Sequence, residues 1–316
     1  MRVFVAGATG VIGTFLVPGL IAAGHEVTAS TRSGGKVGQL ARTGATPVVV
    51  DGLDRAGVLE AVKAAEPEVI VHQMTALTDL RSFRNLDRQF ALTNELRSTG
   101  TDHLLEAATM VGTRRFIAQS FTGWNNARSG GPVKTEQDPL DPRPLPGTAK
   151  ALAAVRHLEE AVPAQVPEGL VLRYGIFYGH GASDLMLEVV RKRQMPVIGG
   201  GTGIWSFTEI ADAAAATVAA VAKGAPGLYN VVDDEPATVA QWVPYLASCL
   251  GVKPPMSAPV WLGRLLGGEM IAEWMTQGRG ASNEKARREL GWIPKYPSWR
   301  EGFPVWAKDF EPGKAA

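Results

Sequence analysis

The 316-residue chain is 45% apolar and 20% charged, enough to bury about three quarters of the surface its unfolded form exposes, so it reads as an ordinary folded protein. Thirty-two Lys and Arg against 31 Asp and Glu leave a net charge of +1, which gives no long-range field for nucleic acid or an anionic membrane. A single cysteine, Cys249, excludes an intramolecular disulfide, and histidines at 25, 72, 103, 157 and 180 lack the spacing of zinc ligands.

The chain enters an apolar run at residue 3 with no basic, apolar and cleavage regions in series. The most apolar later stretch, 259–275, is interrupted by Arg264, Glu269 and Glu273. A soluble, cytoplasmic protein is the expectation. In chain order, β-branched runs predict strands over 3–6, 26–30, 47–50, 69–72 and 115–119, and helical spacing predicts helices over 11–23, 55–65 and 82–111. In the first helix Val11, Ile12, Phe15, Leu16 and Leu20 form an apolar stripe, while Pro18 predicts a local kink, because an interior proline costs about 3 kcal/mol. After a proline-rich stretch, 132–146, come a helix over 148–161, a strand over 170–173, an Ala-rich segment over 211–222 and a strand over 228–232. Such alternation predicts an α/β fold: a Rossmann-type, doubly wound parallel sheet over 1–179 that also receives about 207–235. Residues 180–206 and 236–316 lack the alternation and are read as a smaller, substrate-binding lobe. It holds Trp242, Trp261, Trp274, Trp292, Trp299 and Trp306, read as core packing in preference to the lining of an apolar cavity.

Gly7-Ala8-Thr9-Gly10-Val11-Ile12-Gly13 lies between the first strand and the first helix. Glycines there permit a tight turn and a close backbone approach to a pyrophosphate, and the helix N-terminus offers unpaired amides to the anion. Gly7, Thr9, Gly10, Val11, Ile12 and Gly13 are therefore candidate cofactor contacts. The second strand runs into Ala29-Ser30-Thr31-Arg32-Ser33 and then Lys36, with no carboxylate for a ribose 2′-hydroxyl. Arg32 suits a 2′-phosphate instead, which favours NADP, with NAD as the alternative.

With these residues the sequence resembles the extended short-chain dehydrogenase/reductase family, often called NAD-dependent epimerase/dehydratases, along nearly all its length. Asp51-Gly52-Leu53 looks like the segment that holds the adenine, and Gln73-Met74-Thr75 like the fourth-strand segment bordering the cofactor. Asn94, Gly100-Thr101 and 104–108 match the helix that follows, and Leu172-Arg173-Tyr174-Gly175-Ile176-Phe177-Tyr178-Gly179 is similar to the family's LRPxNVYG. Tyr174 and Ile176, two departures from that motif, join the expected cofactor contacts. The resemblance implies a serine after the fifth strand that holds the substrate oxygen, matched by Ser120 with Thr122 beside it. It also implies a Tyr-x-x-x-Lys pair on the next helix, whose one face carries both side chains and whose ammonium lowers the phenol's pKa.

The tyrosine is absent, because no tyrosine precedes Tyr174. If Lys150 is the family's lysine, Pro146 stands in the tyrosine position; if Glu159 is aligned with a glutamate common later in that helix, the pair becomes Ala151 and Val155. Substitute donors are Lys150, Thr148, His157 and Tyr178, with Ser120, Thr122 and Lys150 taken as the catalytic set. The expectation is an NADP(H)-dependent oxidoreductase acting on a small organic carbonyl or alcohol through a donor other than tyrosine. The alternatives are a non-redox isomerase, lyase or cyclase on the same scaffold, and an NADP-sensing binding protein. A homodimer is implied by family analogy alone.

Overall fold

The computed structural model describes residues 1–77 and 85–310. Its centre is a parallel sheet of β1 (Arg2–Ala6), β2 (Glu26–Thr31), β3 (Thr46–Val49), β4 (Val69–His72), β5 (Arg115–Phe121), β6 (Glu168–Tyr174) and β7 (Gly227–Val231). Their spatial order is β7-β6-β5-β4-β1-β2-β3, every neighbouring pair parallel. The order reverses between β1 and β4, so a crevice opens there at the carboxyl ends of the strands. Such a sheet is buried on both faces, which is why its strands read as continuous apolar runs. All predicted strands are present, with ends that coincide or shift by at most two residues.

Helices α1 (Val11–Ala22) and α5 (Ile210–Ala222) cover one face. The other is covered by α2 (Arg55–Ala65), α3 (Thr101–Val111) and α4 (Ala149–Gln165). Pro18 does not end α1; it and Thr14, whose carbonyl loses the bond, both lie on the exposed side of the helix. Likewise α4 continues through Pro163 in its last turn.

The single helix expected over 82–111 is not one rod. Residues 82–84 lie outside the described residues, and the remainder forms turns at Leu86–Gln89 and Ala91–Glu95, a π-helical turn at Leu96–Gly100, and then α3. Buried Phe90 leaves helical geometry (φ −98°, ψ 14°), and the wider turn turns Arg97 inward. Periodicity does not report a π turn, which shifts the buried stripe by one residue.

Residues beyond β6, with Leu86, Phe90 and Ala151, build a second core beside Phe121 and Ile176, which close β5 and follow β6 at their carboxyl ends. Trp205 stacks on Trp274 with ring centroids 4.0 Å apart, and Trp242, Trp299, Phe303 and Trp306 close round Tyr178 and Phe207. Two of the six late tryptophans depart from the expected lobe core. Trp292 is buried in the sheet core, its Nε1 donating to the Asp212 carbonyl at 3.1 Å, and Trp261 is 66% exposed. Among the described residues no helix is long and apolar enough to cross a membrane.

Candidate cofactor and active site

The turn between β1 and α1 is built on two glycines. Gly7 adopts φ +87°, and a Cβ on it would lie 2.9 Å from the Gln73 carbonyl and the Met74 amide, so only glycine lets this turn lie against the segment after β4. A Cβ on Gly13 would meet the Ala8 carbonyl, so the first turn of the helix lies directly against the glycine turn. The Ala8 amide donates to the Ser30 carbonyl at 3.0 Å, and the Thr9 and Thr31 hydroxyls lie 3.3 Å apart, tying the turn to β2. The Gly10 amide donates to the Gly7 carbonyl at 3.2 Å, but no side chain caps α1 and its first turn holds no acid, which leaves the amides of Val11 and Ile12 for an anion. At the end of β2 the Thr31 hydroxyl accepts from the Ser33 amide, and Arg32 and Lys36 are exposed beside the turn.

The next two loops close on this one. The Asp51 carboxylate accepts from the Leu53 amide at 3.0 Å, and the space where Gly52 lacks a Cβ is filled by the Met74 thioether. Gln73 is pinned by its amide to the Ala6 carbonyl at 2.8 Å; its Nε2 donates to Tyr174 and its Oε1 is buried without a partner. Thr75 is half-buried, and the adjoining Ala76 amide donates to the Thr93 hydroxyl. The close-packed glycine turn, the uncapped start of α1 and an orphaned amide oxygen on Gln73 fit a dinucleotide. Tyr174 lies deeper than a cofactor contact requires. It is fully buried under α5, its phenol donates to Thr217, which itself donates to the Ala213 carbonyl, and burial pushes its pKa up to about 12. Ile176 is buried in the second core at the start of a short strand paired with Phe207–Glu209.

His72, at the end of β4, accepts the Met74 amide proton on Nδ1, so its other nitrogen carries the hydrogen and donates to the Thr101 hydroxyl and the Leu96 carbonyl. Burial, with the nearby Arg97 charge adding to it, lowers its pKa to about 4 against the Leu96 bond. The ring is neutral at pH 7 and ties β4 to the π turn.

Register sets Ser120 on β5 beside Arg173 on β6. The Ser120 hydroxyl donates to Glu159 Oε1 at 2.7 Å, and Arg173 grips the same carboxylate through Nε (2.8 Å) and Nη2, with both charged side chains 5% exposed. Glu159 therefore marks the face that α4 turns to the sheet. One and two turns earlier at i−4 and i−8 that face carries Val155 and Ala151, both fully buried. Lys150 is exposed in the first turn of α4. Thr122 is buried and accepts from Asn126 Nδ2 at 3.0 Å while its amide donates to the Tyr174 carbonyl. Thr148 is buried with its hydroxyl on the Leu145 carbonyl. His157 is a surface residue paired with Asp102 at 2.7 Å. Tyr178 is buried against Phe303 and Trp306, its hydroxyl unpartnered and its pKa raised by burial and then by Asp233. The structure thus brings Ser120, Glu159, Arg173 and Arg97 to one end of the sheet and leaves Lys150 and His157 at the surface. Arg97 was missed because a helical pattern gives an arginine to solvent by default.

The sequence profile described as the NAD dependent epimerase/dehydratase family matches residues 3–231. The chain is 46% identical over 309 residues to a 3-diazoavenalumate denitrifying reductase from a Streptomyces species, covering 96% of this chain and 99% of that one. It is 29% identical to dTDP-4-dehydrorhamnose reductase of Streptomyces griseus, over 82% of this chain and 79% of that one. Among solved structures it is similar to UDP-glucose 4-epimerase of Thermus thermophilus in complex with NAD, with a TM-score of 0.72, 24% identity and 98% of each chain covered. A human epimerase family protein with NADPH gives a TM-score of 0.73 at 21% identity, over 98% of this chain and 100% of that one.

Proposed function

The chain belongs to the NAD dependent epimerase/dehydratase family, and we propose that it is an NADP(H)-dependent reductase whose hydride acceptor needs no proton from the enzyme. One observation carries this reading: the face of α4 fixed by Glu159 presents Ala151 and Val155, with neither phenol nor ammonium. Reduction of a ketone leaves an alkoxide, and a positioned acid is worth a factor of about 100 to 10,000 in that step. An acceptor that expels a neutral leaving group escapes this requirement. The name of the 46%-identical relative joins "diazo" to "denitrifying reductase", and that chemistry meets the condition. When bound, a reduced nicotinamide supplies a hydride with its electron pair. At an arenediazonium carbon that pair becomes the C–H bond, the C–N pair departs with N2, and no proton enters the balance. The protein's part is to hold the two reactants and exclude water.

NADP is favoured over NAD because Arg32 and Lys36 stand exposed beside the glycine turn, where a guanidinium can pair with a 2′-phosphate. The uncapped start of α1 receives the pyrophosphate, and Asp51, Leu53, Gln73, Met74 and Thr75 border the remainder.

The test uses purified protein with NADPH or NADH deuterated at the transferring position, offered a carboxylated arenediazonium and, separately, a panel of ketones. The expected result is N2 release in step with nicotinamide oxidation and deuterium at the carbon that lost nitrogen, above the enzyme-free rate and faster with NADPH. Deuterium missing from that carbon, or ketones reduced as fast as the diazonium, would overturn the reading.

A further inference from the structure

Arg97 lies in the π-helical turn Leu96–Gly100, which packs against α4. It is 4% exposed, and its Nε–H has no acceptor among the described residues. The buried carboxylate whose charge it feels, Glu159, is already held through both oxygens by Arg173 and by the Ser120 hydroxyl. Among the described residues, then, the single charge of Glu159 is set against two guanidiniums, one paired with it and one feeling it at longer range. Burial lowers the Arg97 pKa to about 10, with Glu159 opposing, so the group is a cation at pH 7. A buried donor without an acceptor carries a desolvation penalty that an incoming ligand oxygen relieves.

Its surroundings say which ligand. Arg97 is tied to the end of β4, because the Thr101 hydroxyl that accepts from His72 donates to the Arg97 carbonyl at 2.8 Å. On the other side it meets the α4 helix, where Val155 takes the place of the cation that the family resemblance puts one turn before Glu159. A buried positive charge therefore lies beside the end of β4 and α4, and it comes from a different helix. We propose that Arg97 supplies the cation missing from position 155, donating Nε–H to a hydroxyl oxygen of the nicotinamide-side ribose and so positioning that ring. The assignment rests on the reading of the chain as a nicotinamide-nucleotide enzyme.

Its test is a binding titration without any hydride acceptor. Calorimetry compares unaltered protein, Arg97→Met and Arg97→Lys with two ligands: NADPH, and 2′-phosphorylated ADP, which lacks the nicotinamide ribose. One charge-assisted hydrogen bond is worth about 10- to 100-fold in affinity. Arg97→Met should weaken NADPH by that factor and leave the fragment unchanged, while Arg97→Lys stays within about fivefold of the unaltered protein. Equal weakening of both ligands would reveal a purely structural arginine and overturn the proposal, as would no change in either or a lysine variant as weak as methionine. Should Arg97→Met not fold, Arg97→Gln, which keeps a polar end without charge, is read against the same outcomes. No binding of NADPH by the unaltered protein would overturn the cofactor reading and this inference with it.

Discussion

Glu159→Gln is the sharpest perturbation of the polar cluster beneath the site. Glutamine keeps the size of the side chain but removes the charge that, among the described residues, pairs with Arg173, itself 5% exposed, and that opposes the burial of Arg97. Breaking a buried pair from one side costs about 3–5 kcal/mol, because the remaining charge stays desolvated. Unfolding entropy near 60 °C is about 2.1 cal/mol/K per residue, so for a chain of 316 residues each kcal/mol moves the melting midpoint by about 1.5 °C. The midpoint should therefore fall by about 5–8 °C. Ser120→Ala removes one donor to a charged acceptor, worth about 1.5–3 kcal/mol, or about 2–5 °C. Scanning calorimetry at pH 7 reads both, and kcat/KM measured well below either midpoint separates the two roles open to Ser120. A hydroxyl that acts through Glu159 loses stability and leaves kcat/KM within about threefold. A midpoint unchanged to within about 1 °C in Glu159→Gln, or a loss of more than about 100-fold in kcat/KM in Ser120→Ala, would refute the reasoning.

Three more outcomes are expected. Folded His72 takes its proton only near pH 4, whereas the unfolded imidazole does so near 6.5, so the unfolded state holds more protons in that window. Stability from this group is complete above pH 6.5 and declines as pH falls towards 4, by up to about 1.4 kcal/mol per pH unit; an NMR titration placing His72 near 6.5 would contradict this. Tyr178→Phe removes a buried hydroxyl that has no partner, so the midpoint should hold or rise and kcat/KM should stay level; a loss above about tenfold would make that phenol the acid. Arg32→Ala should weaken NADPH by about 10- to 100-fold and spare NADH in a fluorescence titration, and equal loss of both would remove Arg32 from the 2′-phosphate.

Local patterns carried the dinucleotide half a long way. Strands β1 to β7 were readable because a parallel sheet buried on both faces demands unbroken β-branched runs, and the glycine turn because its spacing answers a backbone constraint visible at single residues. Gly7 and Gly13 are glycine for reasons of close approach, and that requirement survives in one dimension. The site face of α4 was legible only as a choice between two registers. Lys150 and Glu159 are equally plausible on paper, and the choice depends on which one meets Arg173, 14 residues beyond Glu159 on β6.

Other features were never written locally. Nothing near Ser120 announces a carboxylate 39 residues away, and nothing near Trp292 says that it belongs to the sheet core rather than to the lobe that supplies its neighbours in sequence. Arg97 shows the division most plainly. By itself the sequence determined that α4 carries no tyrosine, because none precedes Tyr174. Only the tertiary structure decided that Arg97 is buried. A π turn carries one side chain from solvent into the interior, beside the end of β4 and α4, which meet only when the sheet closes.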